Sequence, residues 1–168
     1  MGATLQVNGI KLSQELIHIN VPEQPDRASM FTHLLAFMAE NRINCPIIFY
    51  SAMDSRVQGA CCVAAEDAGR LDRVLALNPE VKDQVVCIAP AGAISLFPHR
   101  YSLNLLGCLL HVLGQASLPI YGLTASLSSL TVSTDFQLLD HAIDLLRHHI
   151  RLPAYHAPLR SNLRIKAL

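Results

Sequence analysis

Five polar residues near the C-terminal end of the sequence have the types and spacing of metal ligands. Asp140, His141, Asp144, His148 and His149 fall in one short run, with Asp144 and His148 four apart and His141 and His148 seven apart. On a helix those separations share a face, and a divalent cation such as zinc takes imidazole nitrogen and carboxylate oxygen. A metal centre also draws ligands from a second element, and the solvated face of an amphipathic helix carries the same pattern. We therefore expect no metal here. His18 alternates with apolar neighbours over residues 16–21 and reads as a surface histidine on the polar side of a strand. The glycines form neither G-x-G-x-x-G nor a phosphate-binding loop, and no G-x-S-x-G lifts a serine onto a strained elbow. The residues point to no enzyme and no cofactor.

The five cysteines, Cys45, Cys61, Cys62, Cys87 and Cys108, are odd in number, form no C-x-x-C pair and lie mostly in apolar runs. That usage predicts reduced core thiols in a cytoplasmic protein. Lysine and arginine number 13 and so do aspartate and glutamate, so no net field gathers nucleic acid or an anionic membrane. Charged residues make up 15% of the 168, against about 25% in ordinary domains. With 51% hydrophobic residues, the core is well supplied and part of the surface is expected to lie under another chain. The N-terminus carries no charged segment followed by an apolar one, and His111, Gln115 and Pro119 interrupt the longest apolar run. It falls short of the roughly 20 residues that span a bilayer. Beyond Asp144 the only charged residues are basic, among them Arg147, Arg151, Arg160, Arg164 and Lys166, which suits a solvated extension.

These residues must be positioned by elements, and the clearest set runs over residues 93–150. An apolar run (Ile94, Leu96, Phe97) meets Pro98, and a dense helical pattern follows over 103–113. Strand-like runs at 119–124 and 127–133 come next, and Asp135 opens a second helix with Leu138, Leu139, Ala142, Ile143, Leu145 and Leu146. The order is β-α-β-β-α. An offset of 75 finds it again earlier, placing Ile19 on Ile94, Val21 on Leu96, Leu34 on Leu109 and Ile48 on Leu123. Past the hairpin the offset becomes 68, placing Asp67 on Asp135, Leu71 on Leu139 and Leu75 on Ile143, which implies seven extra residues between Ser51 and Gly59. Residues 4–7 and 10–12 flank Asn8-Gly9 as a tight hairpin or one bent strand.

Two such units, with Pro25-Asp26-Arg27 leading into the first helix and residues 39–44 (Ala-Glu-Asn-Arg-Ile-Asn) leading out of it, resemble the tandem ACT domains of the aspartokinase regulatory region. The resemblance spans residues 4–150 and implies an α+β fold of two ferredoxin-like βαββαβ units, with antiparallel sheets and helices on one face. It implies a first domain at 12–90, a second built from 4–11 and 91–150, and a C-terminal extension at 151–168. The second copy has no strand directly after its last helix, and the resemblance places the opening strand in that slot. It further implies a free-standing regulatory module without the kinase catalytic domain.

The resemblance also places a small-molecule ligand, an amino acid, in the loop between first strand and first helix. The residues are Pro25, Asp26, Arg27, Ala28 and Ser29, with Asn44 nearby. The family turn reads Asp-[Arg/Lys]-Pro-Gly, whereas this chain has Ala28-Ser29 in place of Pro-Gly. The helix N-terminus remains an anion site by its free N–H groups. The second copy has Pro98-His99-Arg100-Tyr101-Ser102, and Pro119 where the first keeps Asn44, so the ligand belongs to the first loop.

Three functions compete. One is amino-acid sensing, coupled to a homodimer or to a partner enzyme. Another is an assembly or adaptor module without a surviving ligand site, and the third, a small metal-dependent hydrolase, has only the histidine cluster behind it. The helix over 103–113 bears on assembly. Leu106, Leu109, Leu110 and Leu113 form one stripe for its own sheet, and Leu105, Cys108 and Val112 form a second that one sheet cannot bury. That second stripe predicts a symmetric subunit contact, unless Leu159, Leu163 and Ile165 of the tail fold over it.

Overall fold

The computed structural model describes residues 5–25, 28–53, 56–97 and 102–153. In chain order the strands are β1 (Leu5–Gln6), β2 (Gly9–Leu12), β3 (Leu16–Pro25), β4 (Ile47–Met53), β5 (Arg56–Ala64), β6 (Val86–Phe97), β7 (Gly122–Ala125), β8 (Leu130–Asp135) and β9 (Ile150–Arg151). The helices are α1 (Ala28–Glu40), α2 (Ala68–Leu77), α3 (Pro79–Lys82), α4 (Leu103–Gln115) and α5 (Leu139–Arg147), and short 3-10 turns precede α2 and α5. The chain forms two compact units. Glu15–Pro90 is the first, and the described residues 5–14 with 91–153 make the second.

In the first unit β5 lies between β4 and β3, both antiparallel to it. Alternation along β3 sends Ile17, Ile19 and Val21 to one face, where they meet Cys61 and Val63 of β5. Phe31, Leu34 and Met38 of α1 and Leu71, Val74 and Leu75 of α2 cover that face. The helical residues recur at three- and four-residue steps, which is the spacing of a buried stripe. Pro46 stops just short of β4, which is an edge strand.

The second unit repeats the plan, with the strand order β2-β6-β8-β7. Ile94, Leu96, Leu130 and Val132 face Leu109 and Leu113 of α4 and Leu139, Ala142, Ile143 and Leu146 of α5. Residues 5–12 close this unit in two pieces. β2 runs antiparallel to β6, from Gly9 opposite Phe97 to Leu12 opposite Ile94, and β1 runs parallel to β9, Leu5 opposite Ile150. Asn8-Gly9 is therefore neither a hairpin nor a bend in one strand, because its flanks pair with different partners. A strand does follow the last helix, contrary to expectation: β9 is two residues long, too short to show an alternation in the sequence.

α1 and α4 end alike. Arg42 (φ 53°) and Ser117 (φ 54°) are left-handed. Ile43 N–H bonds to Met38 C=O while Arg42 N–H bonds to Ala39 C=O, and Leu118 and Ser117 repeat this with Leu113 and Gly114. Both are Schellman closures, with a buried apolar residue just past the left-handed one. The two ends stand 75 residues apart, as the repeat requires.

The second offset needs correcting. Ile19 lies opposite Cys61 and Ile94 opposite Val132, so Val132 is the counterpart of Cys61, an offset of 71 (132 − 61). The 3-10 turns at Ala65–Asp67 and Phe136–Leu138 keep that offset. The hairpin insertion is thus four residues (75 − 71), and an offset of 68 displaces α2 against α5 by three. Three residues is nearly one helical turn, so the apolar pattern matches almost as well after the slip.

The buried stripe of α4 is only half the one expected, Leu109 and Leu113, joined by two residues of the other stripe. Leu105 and Val112 are buried with Leu109 and Leu113, whereas Leu110 is exposed and Leu106 and Cys108 are half-buried. A helix apolar on most sides carries no phase signal of its own, and contact with β6 and β8 chose between two usable stripes. Leu105 and Val112 are core residues, so the subunit contact proposed through them is withdrawn.

Candidate functional site

The loop between β3 and α1 begins at the end of β3, Pro25, and ends at the first residues of α1, Ala28 and Ser29. Asp26 and Arg27 lie outside the described residues. The first turn of α1 carries no acidic residue of its own. Asn44 is elsewhere: it is exposed and follows the Schellman closure at the other end of α1. Thirteen residues of helix at 1.5 Å each separate the two ends by about 20 Å. One unit therefore joins Pro25, Ala28 and Ser29 but does not bring Asn44 to them.

Asn44 lines an open cavity of about 440 Å³ with Leu35, Met38, Arg42, Cys45 and Ile48. Its walls are mostly apolar, and Arg42 and Asn44 are its polar lining. Arg70 braces this end by donating from Nη1 to the Arg42 carbonyl (3.2 Å) while pairing with the buried Asp67 carboxylate. Asp67 directly precedes α2 but makes no side-chain cap bond, and pairs with Arg70 instead. No residue pattern marks this cavity, because its lining comes from the end of a helix, a left-handed turn and an edge strand.

In the second unit the equivalent helix start is already satisfied, since Ser102 Oγ accepts from Leu105 N–H at 3.1 Å. A carboxylate arriving there would compete with that cap. Beside it runs an apolar groove of about 540 Å³ lined by Leu103, Leu106, Ala125, Leu127 and Leu130.

His18 is not a surface residue. It is 1% exposed, stands opposite Cys62 on β5, and its Nδ1 lies 3.4 Å from Cys62 Sγ, with the Phe49 ring nearby. That side of β3 is buried at Leu16 and His18 and half-buried at Asn20, so alternation marks the face but not its exposure. Burial pushes the Cys62 thiol up to about 12 and lowers the His18 pKa below 6.5. Both groups are neutral at pH 7. A histidine held neutral in the fold binds its proton more readily when unfolded. Its contribution is therefore complete above pH 6.5 and is lost as pH falls from there to the folded-state value. We expect stability to decline below pH 6.5, by at most about 1.4 kcal/mol per pH unit for one proton, and His18→Gln to flatten that decline. Urea titrations between pH 5 and pH 8 read it, and equal slopes in both proteins would contradict it.

The histidine-rich run occupies the outer side and end of α5. Asp140, His141, Asp144, His148 and His149 are all exposed, and Asp144 accepts from Arg147 at 3.4 Å. Among the described residues no three His, Cys, Asp or Glu side chains are arranged to hold a metal ion, and no helix is long and apolar enough to cross a membrane.

Two ferredoxin-like units, the second completed by the residues that open the chain, make a specific topology. The fold is that of an aspartokinase regulatory subunit. The regulatory subunit of aspartate kinase from Thermus thermophilus, in its ligand-free form, superposes with a TM-score of 0.71 at 15% identity, over 86% of this chain and 99% of that one. Aspartokinase alpha and beta subunits give a TM-score of 0.72 at 16% identity, over 85% and 97%. Aspartate kinase from Synechocystis gives 0.70 at 18% identity, with 94% of this chain covering 29% of that one. At these identities the likeness is one of fold. No protein-family model matches the chain, and no curated protein sequence does. The units are thus tandem ACT domains in architecture, α+β with antiparallel sheets and helices on one face.

Proposed function

We propose that the chain is a non-catalytic regulatory module that binds an amino acid at the β3-α1 loop of its first ACT unit and couples it to a homodimer or a partner enzyme. The observation that carries this reading is the superposition along 99% of the Thermus thermophilus regulatory-subunit chain. The proposed ligand contacts are Pro25, Asp26, Arg27, Ala28 and Ser29, with the carboxylate at the start of α1 and the ammonium group on Asp26. Asn44 joins them from a second copy. The ladder supports this: Pro25 lies opposite Arg56, and Arg56 opposite Met53. The loop therefore sits at the Met53 end of β4, and Asn44 precedes the Ile47 end. Two copies paired antiparallel along β4 would bring Asn44 of one to the loop of the other.

β4 suits such pairing. It is an uncharged edge strand, Ile-Ile-Phe-Tyr-Ser-Ala-Met, with Ile48 46% and Tyr50 56% exposed, and a flat apolar edge invites another strand. This surface replaces the α4 stripe as the dimer contact and accounts for the low charge content. A cytoplasmic setting fits the free thiols. Replacing Ile48 and Tyr50 together with lysine is expected to give a folded monomer by light scattering and to weaken amino-acid binding at least tenfold. A dimer that survives both substitutions would refute the β4 interface. An assembly module without a ligand is the second reading, favoured by the same exposed edge and by the apolar groove at Leu103 and Leu127.

A further inference from the structure

We propose that the groove between α4 and the β7-β8 hairpin of the second unit is a binding site for the aromatic ring of a small molecule, held where the first unit keeps the ring of Tyr50. The two ladders set the correspondence. Tyr50 lies opposite Gly59, and Ala125 opposite Leu130. The offset of 75 places Leu106 on Phe31 and Ala125 on Tyr50, and the offset of 71 places Leu130 on Gly59. In the first unit Gly59 leaves room for the Phe31 ring directly above it, and the Tyr50 ring stacks on Phe31 at 27° and 6.1 Å between centroids. In the second unit Leu130, buried, and Leu106, half-buried, stand at the positions of Gly59 and Phe31, while Ala125 ends at its Cβ and supplies no ring. The place of the outer ring is open. It is a groove of about 540 Å³ lined by Leu103, Leu106, Ala125, Leu127 and Leu130.

The lining selects a ring over a charged ligand. Ser102 Oγ accepts from Leu105 N–H and Ser126 Oγ from Ser129 N–H, each at 3.1 Å, and among the described residues that line the groove none is charged. A carboxylate, ammonium or phosphate group would give up water there for no ionic partner, which is costly. An aromatic face gives up only apolar hydration. Leu103 and Leu127 line the groove yet stand 79% and 73% exposed, and a bound ring would take part of that surface out of water. Leucine-lined space accepts benzene-sized rings. The hairpin wall is fixed beforehand, because Ser126 N–H donates to the Ser129 carbonyl at 2.8 Å and closes the turn that carries Leu127. Polar substituents of the ligand stay at the open side, in solvent. The site belongs to the other unit from the β3-α1 loop and does not depend on what that loop binds.

Indole is the probe, titrated into the full chain while the assigned leucine methyl resonances are followed by NMR. Its ring current should shift Leu103, Leu106, Leu127 and Leu130 saturably and leave Leu71 and Leu75 of the first core in place. Ala125→Tyr supplies a ring from within and should weaken indole binding at least tenfold. Ala125 is exposed at the end of an edge strand, a setting that suits tyrosine. Leu127→Asp, at an exposed position, gives the same weakening should the tyrosine variant fail to fold. Phenol should shift the same four leucines, and cyclohexanol, which lacks the flat aromatic face, should bind several-fold more weakly. The proposal is overturned if no saturable shift appears, if the shifts spread over both units, or if binding is unchanged in the variants. Cyclohexanol binding as tightly as phenol would overturn it as well.

Discussion

Removing residues 1–12 is expected to unfold the second unit while leaving hydrogen-exchange protection in residues 15–90 largely in place. Val7 and Ile10 are 1% exposed and Leu12 is 6% exposed, all within the second core. At about 1.5 to 3 kcal/mol for each buried aliphatic side chain, their loss costs roughly 5 to 9 kcal/mol. That is comparable to the whole stability of a small domain, about 5 to 15 kcal/mol. The deletion also strips β6 of its partner from Ile94 to Phe97 and β9 of its partner β1. Preferential deprotection of residues 15–90 in the truncated chain would contradict the assignment of these strands.

Gly59→Ala is expected to destabilise the first unit by about 1 to 3 kcal/mol, the usual range for an overfilled core. A Cβ at Gly59 would lie 2.5 to 2.7 Å from three atoms of the Phe31 ring, among them Cγ. Cγ is fixed by the first side-chain torsion, so the ring cannot evade the methyl by turning its far edge. Phe31 is 2% exposed and stacks on Tyr50 at 6.1 Å between centroids, which leaves it little room to move. Urea denaturation measures the loss. Gly59→Ala in a Phe31→Leu background should cost distinctly less than in the natural chain, and equal costs would show that the ring is not the obstacle.

Local signals in the sequence were reliable where one face had to be apolar and the other did not. α1 and β3 were legible because Phe31, Leu34 and Met38, and Ile17, Ile19 and Val21, each mark a single buried side. The repeat was legible as far as the hairpin, since one offset had to satisfy a strand, a helix and a second strand together. It failed where a slip of three residues returned almost the same helical face. α4 failed for a related reason, because Leu105 and Leu106 both begin acceptable stripes and only the sheet beneath decides between them. His18 was placed on the right side of β3, yet alternation says nothing of what covers that side. At the candidate site the described loop residues Pro25, Ala28 and Ser29 stand at one end of α1, and Asn44 follows its other end. Sequence proximity to a helix does not say at which end a residue will act.

Binding of an amino acid to the native chain is read by a thermal-shift panel of the proteinogenic amino acids at millimolar concentration. Ligand at 100 times its dissociation constant stabilises by about 2.7 kcal/mol. That would raise Tm by several degrees for at least one amino acid, and Asp26→Ala should abolish the rise without lowering Tm in its absence. If no amino acid moves Tm, or if the shift persists unchanged in Asp26→Ala, the account of the β3-α1 loop as an amino-acid site is wrong.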